Sequence, residues 1–279
     1  MKRIGIIYGM ENSFPTAVVD AVNALQLSDV RAEHVKIGGI LMAQASGYDV
    51  LIDRISQDIP FYRAWLKNEA LNGCHIINNP FWWSADDKFF HYALAAKLGV
   101  AVPPTVMLPH REHPEGTTAL AMRNLIYPLN WDEIFDYIGF PAYLKPHLYG
   151  GGRHIYRVDS PEQFFAAYNS TGRLGMLLQS EVRYQDFFRC YVIDRTHVRI
   201  MPYDPARPLG KRYLQDSRPY SPELLERLER EALTLCRALD YEINLVEFAV
   251  SDGVPVVIDF LNPAPDADLF SIGEIGRAS

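Results

Sequence analysis

The sequence predicts an α/β protein, with an amino-terminal Rossmann-like domain followed by an α+β core that contains antiparallel sheets. In residues 1 to about 80, short apolar runs alternate with segments of helical periodicity, which is typical of parallel strands joined by crossover helices. From about residue 131, strand-like runs follow one another across turns and favour antiparallel pairing. The 279 residues, 48% of them hydrophobic, suffice for about two domains of roughly 150 residues each.

In the first part of the chain, residues 3–8 form a continuous apolar run that predicts a strand ended by Gly9. Pro15 then opens a helix whose apolar residues recur at a spacing of 3.6. Further strands are expected at 31–37, 49–52 and 74–77, and a helix at 61–71. The turn after the first strand lacks the G-x-G-x-x-G spacing, so we place no dinucleotide there.

The second part begins with a helix at 86–98, ended by Gly99, and a long linker at 109–130 that contains three prolines. Helices are then expected at 131–138, 161–168 and 222–239, and strands at 142–145, 155–158, 176–179, 188–193 and 197–201. Ser221 and Pro222 are the N-cap and first residue of the last helix. A hairpin is predicted from strands 245–250 and 254–258, joined at Asp252-Gly253.

The charge balance argues against polyanionic partners. Lysine and arginine number 27 against 34 acidic residues, a formal net charge of -7, so no overall positive field recruits nucleic acid or an anionic membrane. No apolar run approaches the roughly 18 residues of a membrane span, and the first run is too short for a signal peptide. The three cysteines form no C-x-x-C pair, so neither a disulfide framework nor a zinc site is indicated. A reducing, cytoplasmic setting is expected.

Residues 141–158 carry the most informative pattern, because Lys145 ends a strand-like run shortly before Gly150, Gly151 and Gly152. Consecutive glycines allow backbone N–H groups to approach a phosphate, and a nearby lysine supplies a positive charge. These residues predict a polyphosphate site. An ordinary flexible loop beside a strand-end lysine is the alternative, and the P-loop pattern G-x-x-x-x-G-K-[ST] is absent from the sequence.

Two carboxylates interrupt the apolar strands of the predicted carboxy-terminal hairpin. Glu247 lies in one strand and Asp259 at the end of the other. A charged side chain in such a strand is unfavourable unless a cation or hydrogen bonds meet it. Adjacent strands would bring both carboxylates close enough to share Mg²⁺, which prefers oxygen ligands and substrate phosphate. Solvated or capped carboxylates at a strand end are the alternative.

These segments, taken in order, resemble the ATP-grasp ligases. Residues 84–88 (SADDK) and 99–105 resemble the "DK…G-x-x-x-P-x-T" segment of that family, and Lys145-Pro146 with the glycine run resembles its second lysine and phosphate-covering loop. Residues 178–182 resemble the hinge strand. Residues 188–193 resemble the "R-x-F-V" strand of the branch that contains peptide-glutamate ligases, glutathione synthetase and D-alanine:D-alanine ligase. The resemblance covers nearly the whole chain.

The resemblance implies a pre-ATP-grasp domain at 1–83, a central ATP-grasp lobe at 84–175 with the glycine loop, and a carboxy-terminal lobe at 176–279 with the hinge and a metal site. It also implies an ADP-forming carboxylate–amine ligase that uses ATP and Mg²⁺ or Mn²⁺ and works through an acylphosphate. Its partners would be a small acid, amino acid or peptide and an amine, not nucleic acid or a membrane. The oligomeric state, including a homo-oligomer, stays open.

The family's functional residues carry over to particular positions. The implied ATP-binding residues are Lys88, Lys145, Gly150, Gly151, Gly152, the hinge residues Gln179, Ser180, Glu181 and Val182, and Asp186 at the ribose. The implied metal ligands are Glu247, Asp259 and Asn262. Arg189 and Lys145 are the catalytic candidates. Arg54, Arg207 and Arg212 are the candidates for binding an acidic substrate, arginine being suited to bidentate carboxylate recognition.

One spacing departs from the family. Asp259 lies three residues before Asn262, whereas the family's carboxylate lies two before its asparagine. A β-bulge at Phe260 or Leu261 would restore the geometry; alternatively, Asp266 or Asp268 replaces Asn262 as a ligand. Two further functions stay open. One is a small-molecule kinase with the same fold, and the other is a nucleotide-binding protein without turnover, which the displaced Asp259 would favour.

Overall fold

A computed structural model describes residues 1–11, 13–81, 87–148, 154–214, 218–268 and 272. Its strands form three sheets of four strands each, one parallel and two antiparallel. The predicted mixture of a parallel amino-terminal sheet and antiparallel sheets in the rest of the chain is therefore confirmed. The glycine run 150–152 lies outside the described residues.

The amino-terminal sheet has the strand order β2-β1-β3-β4, and all of its pairings are parallel. Its elements are β1 (Lys2–Tyr8), α1 (Phe14–Ala24), β2 (Val30–His34), β3 (Val50–Arg54), α2 (Pro60–Leu71) and β4 (His75–Ile77). Buried apolar residues from β1 and β3 pack against Trp65 and Leu66 of α2, which joins the helix to the sheet. The Rossmann-like character of this domain stays a prediction.

The central sheet has the order β5-β8-β6-β7 and antiparallel pairings. This part contains α3 (Lys88–Lys97), β5 (Thr105–Leu108), α4 (Trp131–Ile138), β6 (Ala142–Pro146), β7 (Tyr156–Val158), α5 (Pro161–Asn169) and β8 (Met176–Ser180). Strand β8 pairs with β5 and β6. The central sheet thus extends to Ser180, past the division at 175/176 expected from the sequence; the domain boundaries themselves stay predictions.

The carboxy-terminal sheet has the order β10-β9-β11-β12. It consists of β9 (Asp186–Ile193), β10 (His197–Pro202), β11 (Ile243–Ser251) and β12 (Val254–Asp259), and α6 (Pro222–Ala238) packs on one face. Phe188, Cys190 and Val192 of β9 are buried in the core with α6. Because side chains alternate along a strand, Phe187, Arg189 and Tyr191 project from the opposite face, and this face carries the candidate site.

Two local predictions, the cap of α6 and the turn of the carboxy-terminal hairpin, are confirmed. The side chain of Ser221 accepts a hydrogen bond from the backbone N–H of Leu224 and caps α6. Asp252 and Gly253 both have positive φ, as the short turn between β11 and β12 requires. The three cysteines are buried free thiols. Within the described residues, no helix has the length and apolar character needed to cross a bilayer.

Candidate functional site

Arg189, Glu247 and Asp259 form one row across three strands of the carboxy-terminal sheet. Glu247 lies directly opposite Arg189 on β9 and opposite Asp259 on β12. Directly opposed residues of antiparallel strands project from the same face. The Nε and Nη2 atoms of Arg189 donate to Oε1 of Glu247 at 2.8 and 2.6 Å. The sheet register therefore brings together one predicted catalytic residue and two predicted metal ligands.

An irregular pairing of β11 with β12 places Asp259 in that row. Phe248 lies opposite Val257, whereas the preceding residue, Glu247, lies opposite Asp259, so Ile258 is an extra residue on β12. Regular pairing would place Ile258 opposite Glu247, and the side chain of Asp259 would then leave this face. This bulge at Ile258 lies before Phe260 and Leu261, the positions at which the sequence analysis suggested one, because the register already shifts between Glu247 and Phe248.

A second irregularity follows Asp259. The N–H of Leu245 donates to the carbonyl of Asn262 at 3.1 Å, although continuation of the Glu247–Asp259 register would put residue 261 opposite Leu245. Phe260 and Leu261 both pack on the hydrophobic core. One extra residue is thus accommodated between Asp259 and Asn262, where the sequence analysis suggested a bulge at Phe260 or Leu261 as one of two alternatives.

Lys88 approaches this row from the start of α3. It is the first residue of α3, and Asp87 caps that helix by accepting from the N–H groups of Phe89 and Phe90. The backbone N–H of Lys88 donates to the carbonyl of His147, and its Nζ lies 3.4 Å from Oδ2 of Asp259. The first predicted phosphate-binding lysine is therefore paired with a predicted metal ligand at the end of β12.

Lys145 lies at the same junction and is held by two polar groups. Its Nζ donates to the hydroxyl of Tyr92 at 2.8 Å and to Oε1 of Gln179 at 2.7 Å. The Tyr92 hydroxyl in turn donates to the carbonyl of Ile258 at 2.7 Å. Gln179 is oriented by a bond from its Nε2 to the hydroxyl of Thr105. The second lysine is thus connected through Tyr92 to the bulge beside Asp259.

Burial and neighbouring charges shift the pKa values of this group. Burial, with a smaller effect of Lys88, lowers the pKa of Lys145 from 10.5 to about 8. Burial raises the pKa of Glu247, and Arg189 opposes that shift. For Asp259, burial acts to raise the pKa, but the charges of Lys88 and Lys145 outweigh it and hold the pKa below its ordinary value. Asp259 therefore stays ionised at neutral pH.

The donor set fits a magnesium-type cation. Two carboxylates lie side by side on one sheet face, where each is neutralised by a basic side chain, and their oxygens are ligands that Mg²⁺ prefers. Among the described residues, no group of three or more His, Cys, Asp or Glu side chains is arranged to hold a metal on its own. Such a site is complete only with further oxygens, as expected where a cation arrives with a phosphate ligand.

The alternative ligands Asp266 and Asp268 have other contacts. Oδ1 of Asp268 accepts from the backbone N–H groups of Ser13 and Phe14 and from the Ser13 hydroxyl, at the start of α1. Oδ1 of Asp266 accepts from the N–H of Asp268 at 3.1 Å. The carboxylate of Asp268 thus complements the positive end of a helix, and Asn262 stays the third predicted ligand.

The predicted hinge connects the central and carboxy-terminal sheets. The N–H of Ser180 donates to the carbonyl of Pro104 and that of Glu181 to the carbonyl of Pro141. The Glu181 carboxylate pairs with Arg157 at 2.7 Å. Val182 follows in the connection to β9. At the start of β9, Asp186 accepts from Nη2 of Arg218 at 2.6 Å, so the predicted ribose-binding carboxylate already has a partner.

Arg207 and Arg212, two of the three substrate candidates, stabilise their own loop. Arg207 pairs with Asp204 at 3.1 Å, and Nε of Arg212 donates to the Arg207 carbonyl at 2.8 Å. Nη1 of Arg212 lies 3.4 Å from the Tyr203 hydroxyl. Both arginines are close in sequence to Tyr203 and Tyr213, which contact Arg189, but their own contacts stabilise the loop.

Arg54, the third candidate, connects the amino-terminal sheet to the segment after the predicted metal ligands. Its side chain is 1% exposed and pairs with Glu11, and its Nη2 donates to the carbonyl of Pro265. The guanidinium also lies 4.6 Å from the ring centroid of Phe14. Its buried Nη1 has no hydrogen-bond partner among the described residues.

Replacing Arg54 with methionine is expected to reduce the free energy of unfolding by about 3 kcal/mol, because Glu11 would lose its buried partner. Arg173→Met is the matched control, since Arg173 and Glu115 are 58% and 91% exposed and a surface pair contributes under about 1 kcal/mol. Urea denaturation followed by tryptophan fluorescence measures both. Equal losses in the two variants would contradict a structural role for the buried pair.

Sequence reasoning missed Tyr92, the side-chain role of Gln179, and the tyrosines around Arg189. Tyr92 carried a usable signal, because it lies four residues after Lys88 and thus on the same face of the predicted helix. Tyr203 and Tyr213 form an isolated antiparallel bridge after β10, and no local sequence pattern predicts it. Their contacts with Arg189 depend on how the chain folds after it leaves β10.

Comparison with known proteins identifies the fold. No protein-family profile and no curated protein sequence matches the chain. The D-alanine–D-alanine ligase from Bacillus anthracis complexed with ATP shares 18% identity over 100% of this chain and 92% of that chain, with a TM-score of 0.69. The RimK domain ATP-grasp protein from Sphaerobacter thermophilus shares 15% identity over 99% and 98%, with a TM-score of 0.64.

A third similar structure is N5-carboxyaminoimidazole ribonucleotide synthetase from Thermus thermophilus, with 19% identity over 92% of this chain and 70% of that chain and a TM-score of 0.65. At such identities the similarity shows the fold. The chain has the ATP-grasp fold that its ordered motifs predicted.

Proposed function

We propose that this chain is an ATP-dependent, ADP-forming ligase that joins a carboxylate to an amine through an acylphosphate. The observation that carries the proposal is the convergence of Lys88 and Lys145 from the central lobe with the row of Arg189, Glu247 and Asp259 from the carboxy-terminal lobe. Two cations for phosphates and two carboxylates for a phosphate-bound cation meet within one network of contacts. The ATP-grasp fold supports this arrangement.

In this proposal the phosphates of ATP lie against Lys88 and Lys145, together with the glycine run 150–152. The adenine contacts the hinge, residues 179–182, and the ribose lies on Asp186. Two contacts would have to change when ATP binds: Lys88 exchanges Asp259 for a phosphate, and Asp186 exchanges Arg218 for ribose hydroxyls. In each pair one side chain is exposed to solvent, 40% for Asp259 and 67% for Arg218, so water can replace part of the lost contact.

Glu247, Asp259 and Asn262 would hold Mg²⁺ or Mn²⁺. Such a cation, bound with ATP, neutralises the β- and γ-phosphate oxygens. The carboxylates fit this role because they are adjacent and because Asp259 stays ionised. The two register shifts also weaken the sequence-based argument for a protein without turnover, since the extra residue before Asn262 does not separate Asp259 from Glu247.

Transfer would begin when an oxygen of the substrate carboxylate attacks the γ-phosphorus, with ADP as the leaving group. The acylphosphate formed has a carbonyl carbon that the amine then attacks; phosphate leaves, the nitrogen loses a proton, and an amide remains. Arg189 would stabilise negative charge on the transferred phosphoryl group. Arg54, Arg207 and Arg212 are the proposed contacts for the acid. Positioning and electrostatics carry the catalysis, and no side-chain nucleophile is required.

The test is to measure ADP and free phosphate with a panel of carboxylic acids, amino acids and amines in the presence of Mg²⁺. A ligase releases both in equal amounts and only when acid and amine are present together. A kinase forms ADP without free phosphate, and a binding protein binds ATP without forming ADP. Absence of ATP binding in calorimetry with Mg²⁺ would contradict all three functions.

ATP affinity is expected to fall as the pH rises above about 8. The pKa of Lys145 is about 8 in the structure, and negative phosphates favour its charged form. Below that pH the ammonium is already charged, whereas above it binding requires proton uptake and weakens by up to about tenfold per pH unit. Calorimetry between about pH 7 and 9.5, in buffers of different ionisation enthalpy, measures both effects. Lys145→Arg, which stays charged, should bind without this pH dependence; a flat wild-type profile would contradict the prediction.

A further inference from the structure

The guanidinium of Arg189 lies beneath a small hairpin. This hairpin lies outside the carboxy-terminal sheet, and the sequence pattern does not predict it. The chain continues from β10 into residues 203–213 and returns, with a bridge between Tyr203 and Tyr213. The N–H of Asp204 donates to the Arg212 carbonyl at 2.8 Å, and that of Leu214 to the Pro202 carbonyl at 3.0 Å. We call residues 203–213 the tyrosine hairpin. Its two terminal tyrosines lie next to the candidate site.

Three groups fix the plane of Arg189. The Cζ atom lies 4.0 Å from the ring centroid of Tyr203, a cation–π distance. Nη1 donates to the Tyr213 hydroxyl at 3.0 Å, and Nε and Nη2 donate to Oε1 of Glu247. An arginine has five N–H donors, so these contacts leave two of them, both on the terminal nitrogens. An edge with free N–H groups is what a phosphoryl or carboxylate oxygen requires.

The direction of the hydrogen bonds around Tyr213 follows from its neighbours. Tyr191 donates its hydroxyl proton to the carbonyl of Asp266, and burial raises the pKa of Tyr191, so this phenol stays neutral. The Tyr191 oxygen is therefore an acceptor for the Tyr213 hydroxyl, 3.2 Å away. The Tyr213 oxygen is then available to accept from Arg189. Arg189, Tyr213, Tyr191 and the Asp266 carbonyl form one directed chain.

We propose that Tyr213 is a positioning residue that orients Arg189 toward the transferred phosphoryl group. The inference rests on the proposed function. Glu247 alone is a weak orienting group for Arg189, because the same carboxylate is a proposed metal ligand. A carboxylate bound to a cation is a weaker hydrogen-bond acceptor for Arg189. The Tyr213 contact is independent of that sharing and is anchored through Tyr191 to the backbone of Asp266.

Tyr213→Phe tests the inference, because it removes the hydroxyl and keeps the ring that packs on Tyr203. The loss of one hydrogen bond to a charged group is expected to lower kcat at least about tenfold, with KM for ATP changed less than about twofold. A second readout does not need turnover: the concentration of aluminium fluoride that traps bound MgADP rises about tenfold, since this ion mimics the transferred phosphoryl group. The affinity for MgADP alone stays as in the wild type.

Three further variants separate positioning from stability. Tyr191→Phe should lower kcat by a smaller factor. In this variant Tyr213 still accepts the hydrogen bond from Arg189 but loses the acceptor for its own hydroxyl proton. Tyr137→Phe, on the exposed face of α4, should change nothing. In an Arg189→Lys background, Tyr213→Phe should cause no additional loss, because it acts through Arg189.

The outcomes distinguish the inference from the proposed function. A wild type that binds neither MgATP nor MgADP would contradict the proposed function itself. A wild type that is trapped by aluminium fluoride, with Tyr213→Phe unchanged, would overturn only the role of Tyr213. If Tyr213→Phe also lowered MgADP affinity and thermal stability, the role of Tyr213 would be overturned. The same holds if Tyr213→Phe lowered kcat further in the Arg189→Lys background, because either result indicates a role other than orienting Arg189.

Discussion

Asp259→Asn is expected to lower the rate of ADP formation at least about a hundredfold while the fold is kept. The substitution removes the negative charge that faces Lys88 and serves the proposed cation, and it preserves the shape of the side chain. The Oδ1 atom accepts from the N–H of Leu261 at 3.2 Å, and asparagine can make the same bond. The measurement is ADP release with the active acid and amine, together with thermal unfolding of both proteins.

The matched control for that variant is Asp252→Asn in the turn of the same hairpin. Asp252 is exposed and has a φ of 50°, a conformation that asparagine also tolerates. Its rate should be within about twofold of the wild type. If Asp259→Asn kept the wild-type rate, Asp259 would not be a metal ligand. The bulge at Ile258 would then have no role in building a metal site.

Lys145→Met is expected to weaken MgATP binding by about a hundredfold without lowering the stability of the nucleotide-free protein. A charge buried against Tyr92 and Gln179 is favourable for phosphate binding but unfavourable before the phosphate arrives, as its lowered pKa indicates. Between about pH 8 and 10.5 the unfolded chain binds the Lys145 proton more readily than the folded chain. The contribution of Lys145 to the free energy of unfolding therefore becomes more favourable as the pH rises across that window. This change should be absent in Lys145→Met.

Thermal unfolding with and without MgATP measures both parts of the prediction. A ligand at about 100 times its dissociation constant stabilises a protein by about 2.7 kcal/mol, and Lys145→Met should lose most of that increase. Lys97→Met, at the exposed end of α3, should keep it. Wild-type stabilisation of Lys145→Met by MgATP would contradict a phosphate-binding role for Lys145.

The regular elements followed from local sequence patterns. The helix at 131–138 has the predicted bounds, and α6 begins at the predicted proline because Ser221 and Pro222 act within one turn. Strand ends were less accurate. The second strand was expected to extend to residue 37 but ends at His34, since only pairing with β1 decides where a parallel strand stops.

The residue types of the candidate site also followed from the sequence, but their partners did not. Glu247 and Asp259 are recognisable because a carboxylate in an apolar strand is unfavourable without a partner, and Lys145 is recognisable by the glycine run that follows it. The pairing of Lys88 with Asp259 joins residues 171 positions apart. Contacts of Arg218 with Asp186 and of Asp268 with Ser13 were equally unpredictable from local patterns.

The sequence by itself determined the α/β fold class, the order of the strands and helices along the chain, and the side chains with the chemistry to bind a nucleotide. Hydrophobic periodicity, helix caps and turn residues depend only on neighbouring positions in the chain, so they can be identified from a single sequence. The tertiary structure alone decided that Asp259 faces Glu247, that Lys145 reaches the bulge through Tyr92, and that Tyr213 holds Arg189. These features depend on strand register, and a slip of one residue, which changes no local pattern, moves a side chain to the other face of the sheet.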